Sequence, residues 1–295
     1  MAGCRHAATF VLALCILPLS GCLFTRRNLP VPKEPSMLQT VSADDLVRTI
    51  NQRVEALQTL YATVDIRAST LKPNEGVEKD YTAFPGIIMM RKPKMLRVYG
   101  RVPVIGTRMF DMVSDGTNFT LFIPSRNLAY KGPNELRKRS ANQIENMRPG
   151  FFLDAIVLRG LDPEDYYSVT ADTETVEDTA KKHLYSVPEY VLSITRRNPG
   201  SRNDTPVRVV TIHREDLLPY QQDLYDANGN LETQVFYANY ADFGNSKYPS
   251  LVTIKRPLEG VQIVLRVQKV VENMPLTDDQ FQIKLPEGTK ILQLQ

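Results

Sequence analysis

Apolar and polar residues alternate with a period of two through most of this chain, and one stretch near its start repeats instead at helical spacing. Ser42 followed by Asp45 reads as a capping-box-like start, and Leu46, Ile50, Val54, Leu57 and Leu60 then fall on one face. From Tyr61 the period changes. Tyr61–Thr70, Val77–Arg91, Met95–Arg101, Thr107–Ser114 and Thr117–Ile123 predict five strands in a local meander, with turns at Pro73–Gly76 and Pro103–Gly106 and a hairpin at Asp115-Gly116. The rhythm breaks between Pro133 and Leu158, where two helical pieces are predicted: a polar, basic one up to Met147, and one opened by Pro149 that carries Phe152, Leu153, Ile156 and Val157.

Strand patterns resume at Tyr166–Thr170, Leu184–Thr195, Pro206–His213, Tyr220–Tyr225, Leu231–Tyr240, Leu251–Arg256 and Val261–Val271. With about eleven strands and very few helices, the expected fold is mainly β, an incomplete antiparallel β-barrel with helices covering its open side, because so large a sheet rarely stays flat. The expected organisation is a leader over residues 1–21, a tether over 22–40 and one folded domain over 41–295.

Composition narrows the function. Lys and Arg number 36 against 33 Asp and Glu, and removing the leader takes away one Arg and no acid, so the remaining chain is nearly neutral. Nucleic-acid binding, which needs a basic face to displace counterions, is not expected. Catalysis is not expected either. Beyond the leader only His183 and His213 remain, with no metal-ligand spacing, and Ser114 sits in no nucleophile-elbow context. The acids Glu174, Glu177 and Asp178 near His183, and Asp162, Glu164 and Asp165 after Gly160, read as loops and caps. No cofactor or metal is expected.

The first residues carry Arg5 and His6, then the apolar run Ala7–Leu17, then Leu19-Ser20-Gly21-Cys22. The run is far shorter than the ~20 residues that cross a bilayer as a helix, and its parts match a secretory signal. Leu-Ser-Gly-Cys resembles the lipobox of bacterial lipoproteins, which implies that Cys22 becomes the acylated first residue, anchored by a thioether-linked diacylglycerol and an N-acyl chain. Cys4 and Cys15 lie within the leader, so Cys22 is left without a disulfide partner. Pro30, Pro32 and Pro35 make the next residues an extended tether. Leu23 after the Cys, in place of the retention-signalling Asp, implies the outer membrane.

Three stretches, Arg91-Lys92-Pro93-Lys94-Met95-Leu96-Arg97, Val113 to Phe119, and Tyr130-Lys131-Gly132, resemble the periplasmic lipoprotein carrier and acceptor family, LolA and LolB. Leu224 to Gly229, Tyr237 to Phe243, Lys247 to Arg256 and Phe281 to Gly288 look like that family's C-terminal strands. The resemblance implies an apolar barrel interior that receives acyl chains of a lipoprotein or lipid. With Cys22 it favours the membrane-anchored acceptor over the diffusing carrier, a periplasmic carrier being a possible partner. The interior candidates are Ile88, Met90, Leu96, Val98, Phe110, Met112, Phe119, Leu121, Phe152 and Leu153, with Lys92 and Arg97 as charges at the mouth and Arg108 near them. Where the carrier has Arg before Pro, this chain has Lys92, which lacks the planar fork, so the resemblance does not carry the lid latch to this position. A sensor or structural module on the same fold, its interior filled by its own side chains, is the alternative these residues leave open.

Overall fold

The computed structural model describes residues 38–72, 77–134, 146, 148–178 and 183–294. Almost all described residues belong to one compact unit, Met37–Thr173 with Pro188–Gln295. The leader, Cys22 and the tether lie outside the described residues, as does nearly all of the first helical piece expected after Pro133.

Fifteen strands are found among the described residues. The first seven are β1 (Thr59–Lys72), β2 (Val77–Asp80), β3 (Phe84–Arg91), β4 (Met95–Arg101), β5 (Arg108–Ser114), β6 (Asn118–Ile123) and β7 (Leu128–Pro133). The next seven are β8 (Asp165–Asp178), β9 (His183–Arg196), β10 (Thr205–His213), β11 (Pro219–Tyr225), β12 (Leu231–Phe243), β13 (Ser246–Arg256) and β14 (Val261–Glu272), and β15 (Lys290–Gln293) ends the series. They form one open sheet in the order β15-β7-β6-β5-β4-β3-β1-β14-β13-β12-β11-β10-β9-β8, with β2 beside β1. Two antiparallel meanders are thus joined by the antiparallel pairing of β1 with β14. The sheet does not close, and the expected incomplete barrel is the observed fold.

The strand expected over Val77–Arg91 is two strands, β2 and β3, and β7 and β15 were not expected at all. Both are short, and pairing with neighbours rather than an apolar period fixes them: β7 lies between β6 and β15, and β15, at the edge of the sheet, joins β7 in parallel. β13 starts at Ser246, upstream of Pro249, because its pairing with β12 runs back as far as Phe243.

Two helices cover one face. Helix α1 (Ala43–Ala56) begins at Ser42, whose side chain accepts from the Asp45 N–H, and it ends before Leu60, which belongs to β1. Its Leu46, Val47 and Ile50 pack on Tyr190, Leu192, Ile194, Val210 and Ile212 of β9 and β10. Helix α2 (Gly150–Ile156) starts at Pro149 as expected and buries Phe151, Phe152, Ala155 and Ile156 against the rest of this inner face. Alternation places Leu60, Ala62, Val64 and Ile66 of β1 inside, facing Val261, Ile263, Leu265 and Val267 of β14. Val270 is also inside because the register shift at Thr63/Val64 leaves Gln268 as an extra residue, which reverses the alternation.

The opposite face is covered too. Residues 274–283 cross it as a strap, and Leu276 and Phe281 bury Ile87, Met89 and Val113. This explains the unbroken apolar run Ile87–Met90, which fits a strand buried on both sides better than a half-exposed one.

Candidate functional site

All ten interior candidates belong to one cluster on the inner face. Ile88, Met90, Leu96, Val98, Met112, Phe119 and Phe152 are buried, while Phe110, Leu121 and Leu153 pack against them partly buried. Gly100 permits the tight packing near Phe110: a Cβ there would lie 2.6 Å from Phe84 and 2.8 Å from Phe110, which meet edge to face. Three of the ten, Met90, Leu96 and Leu153, line an open cleft of about 450 Å³ between the end of α1, α2 and strands β3 and β4. The other seven do not line it. They lie in the cluster that α2 fills with Phe151 and Phe152.

The cover over this interior is fastened through backbone carbonyls. Lys92 Nζ donates to the Val54 carbonyl in the last turn of α1, which also accepts from the capping Leu57 N–H at 3.3 Å and where the negative end of the helix dipole favours a cation. Lys92 also lines the cleft, so a latch does exist at this position, as a single-point contact rather than a fork. Tyr248 OH donates to the Ile156 carbonyl at 2.6 Å and Gln222 Nε2 to the Asp154 carbonyl at 2.8 Å. Arg208 spans the turn after α2, donating to the carbonyls of Arg159 at 2.7 Å and Gly160 at 3.0 Å. Asn51 of α1 accepts from the Leu161 N–H at 3.1 Å, tying the two covering segments together.

Burial sets the electrostatics under the cover. It lowers Arg208 to about 10, helped by the neighbouring Arg159, and Arg208 remains charged at neutral pH. Burial raises Asp154, with Arg159 at 3.0 Å opposing the shift. Lys92 is lowered by burial, an effect that Glu55 opposes. Burial also pushes Tyr237 and Tyr248 well above their ordinary range, so both phenols stay neutral.

Arg97 is not at the mouth. Alternation along β4 sends Leu96 and Val98 inward and Arg97 to the outer face, where it is buried beneath the strap. It clasps Asp111 at 2.9 and 2.7 Å and donates to the Gln280 carbonyl at 2.7 Å. Arg108 binds the same carboxylate. Arg91 also takes the outer side, donating to Leu276 O and Asp278 with its guanidinium over Phe281. The Arg91-Lys92 pair is therefore divided between the strap and the helical cover.

A second feature stands where the sequence predicts only a turn. Between β4 and β5, Val104 is fully exposed and Ile105 is 73% exposed. Val104 has φ +67, an uncommon conformation for a β-branched residue that often marks functional strain. Backbone bonds from Gly106 N to Val102 O and from Val102 N to Thr107 O, at 2.9 and 2.8 Å, hold the tip in shape. Just behind it Arg101, Arg97 and Arg108 surround the Tyr99 ring at 5.5, 5.5 and 5.0 Å. The available signal was Val-Ile between Pro103 and Gly106, apolar where a turn is ordinarily polar.

Ser114 and His213 have structural partners. Ser114 Oγ accepts from Gly116 N and Asn134 Nδ2 at 3.1 and 2.8 Å, and His213 stacks on Tyr220 at 4.2 Å. The side chain of His183 lies outside the described residues. Among those described, no group of His, Cys, Asp and Glu could hold a metal ion, and no helix is long and apolar enough to cross a membrane.

An open antiparallel sheet with a latched helical cover on one face defines the class: an incomplete β-barrel built around an apolar interior. It is the LolA/LolB-like fold. A LolA superfamily protein from Nitrosomonas europaea superposes with a TM-score of 0.51 at 16% identity, covering 83% of this chain and 99% of its own. A DUF1329 family protein from Desulfovibrio piger gives 0.51 at 17% identity, covering 81% and 95%. No protein-family model and no curated protein matches the chain.

Proposed function

We propose that this protein is a membrane-anchored acceptor that takes the acyl chains of lipoproteins or lipids into the clefts beneath its helical cover during envelope assembly. The observation that carries the reading is the cleft beside α2, walled by Met90, Leu96 and Leu153 at the border of the apolar interior, under a cover fixed by discrete polar latches. Each neutral latch contributes only about 0.5–1.5 kcal/mol net, and the charged ones from Lys92 and Arg208 about 1.5–3 kcal/mol. An incoming chain that buries apolar surface at ~25 cal/mol per Å² offsets the loss of several. The ligand needs area and few directional contacts, so the reading requires no catalytic group and no cofactor.

The membrane side of the proposal rests on Cys22, whose lipobox-like setting supports a lipid anchor in the outer membrane facing the periplasm, and on the Val104–Ile105 tip. Two exposed apolar residues at a braced hairpin end, backed by Arg101, Arg108 and Tyr99, match the demands of an interface with apolar acyl chains and anionic head groups. A diffusing carrier would then be the donor that delivers cargo to this stationary receiver.

The test is to purify the protein from membranes in mild detergent and identify what remains bound by mass spectrometry after denaturation. Recovery of acylated peptide or lipid in stoichiometric amount, apart from the lipid on Cys22, is the expected result. A ligand-free protein that also fails to bind an apolar fluorescent probe would overturn the proposal.

A further inference from the structure

Resting on the acyl-chain reading above, we propose that the protein holds two chains at once, one on each flank of its cover, so that its ligand class is the two-chain lipid. The second chain site lies between the end of α1 and strands β12 and β13. A cleft of about 440 Å³ opens there, nearly equal in volume to the first. Its walls include Leu57, Ile156, Leu218, Tyr240 and Tyr248, none of which a reading of the sequence singles out as part of a site.

Two observations connect the clefts. Val54 of α1 and Val157 and Leu158 after α2 line both of them, so the two are separated by one layer of apolar side chains. The second cleft also asks nothing polar of its occupant. Tyr248 OH is committed to the Ile156 carbonyl and Tyr240 OH to the Pro219 carbonyl, each at 2.6 Å. Charged groups lining the cleft, Arg53, Asp216, Lys247 and Glu272, are of both signs and select no charged head. Arg53 is moreover held by the Leu217 carbonyl at 3.1 Å.

A single chain would fill one cleft and leave the apolar wall of the other, of nearly equal volume, open to water. Two chains leaving one glycerol can pass on either side of the Val54–Val157–Leu158 wall and cover both. This partition accounts for the position of the cover's two ends, with Lys92 fastening α1 on the first side and Tyr248 fastening α2 on the second.

Native mass spectrometry of the full-length Cys22→Ser chain titrated with palmitate provides the test. Two palmitates per chain, or one dipalmitoylglycerol that excludes both, are expected. Leu153→Trp fills the first cleft and Ser246→Trp the second, and each is expected to reduce the count from two to one. Lys247→Trp, at an exposed position on the second cleft, provides an independent variant should Ser246→Trp fold poorly. One palmitate in the parent chain, lost with Leu153→Trp and unchanged by Ser246→Trp and Lys247→Trp, would overturn the two-chain inference while leaving the acyl-chain reading intact. No palmitate and no dipalmitoylglycerol bound would overturn both.

Discussion

Arg97→Ala is expected to lower the unfolding free energy by about 3–5 kcal/mol, the range seen when one partner of a buried ion pair is removed. Arg97 is 7% exposed and Asp111 0%, and the guanidinium meets both carboxylate oxygens. Truncation leaves Asp111 buried with only the half-exposed Arg108 for charge compensation. It also removes the bond to the Gln280 carbonyl, loosening the strap over Ile87, Met89 and Val113. Asp278→Ala is the contrast: that carboxylate is 79% exposed, and losing its pairing with Arg91 should cost no more than ~1 kcal/mol. Urea denaturation of both variants checks the ranking. Equal, sub-kilocalorie losses would show that the strap is not held through Arg97.

The double substitution Val104→Glu and Ile105→Glu is expected to weaken membrane binding without loss of fold. Full burial of a Val or Ile side chain contributes about 1.5–3 kcal/mol, so removing both from a bilayer corresponds to roughly 10²- to 10⁴-fold weaker partitioning at 1.4 kcal/mol per decade. Sedimentation with anionic vesicles, using the Cys22→Ser chain so that the loop acts without the lipid, measures this. The tip is exposed and belongs to no apolar cluster, so the melting temperature should stay within a degree or two of the parent's. Unchanged vesicle binding would remove the loop from the membrane proposal.

Local period was a reliable guide where one face is wet and one dry. The α1 start at Ser42, the α2 start at Pro149 and the β4 to β6 meander all follow from spacing and turn residues, and alternation brought the eight strand candidates to one face, where Phe152 and Leu153 of α2 pack against them. It failed where long-range partners decide. No pattern around Arg97 announces a strap arriving from residues 274–283, so its charge was placed at the mouth although its neighbours Leu96 and Val98 already point inward. Lys92 meets a main-chain carbonyl at Val54, an acceptor that no side-chain motif encodes. The second cleft was missed because its walls come from α1, α2, β12 and β13, segments far apart in the chain whose apolar residues read individually as ordinary core.

In the proposed function, acyl chains enter the inner face beneath the helical cover. Intermolecular nuclear Overhauser effects between ¹³C-labelled palmitate and methyl-labelled protein test it most directly. Contacts are expected from chain methylenes to Met90, Leu153, Val157 and Leu158, with none to Ile87, Val113 or Ile283 on the strap-covered face. Contacts confined to that outer face, or a saturable complex with no contact to the inner four, would contradict it.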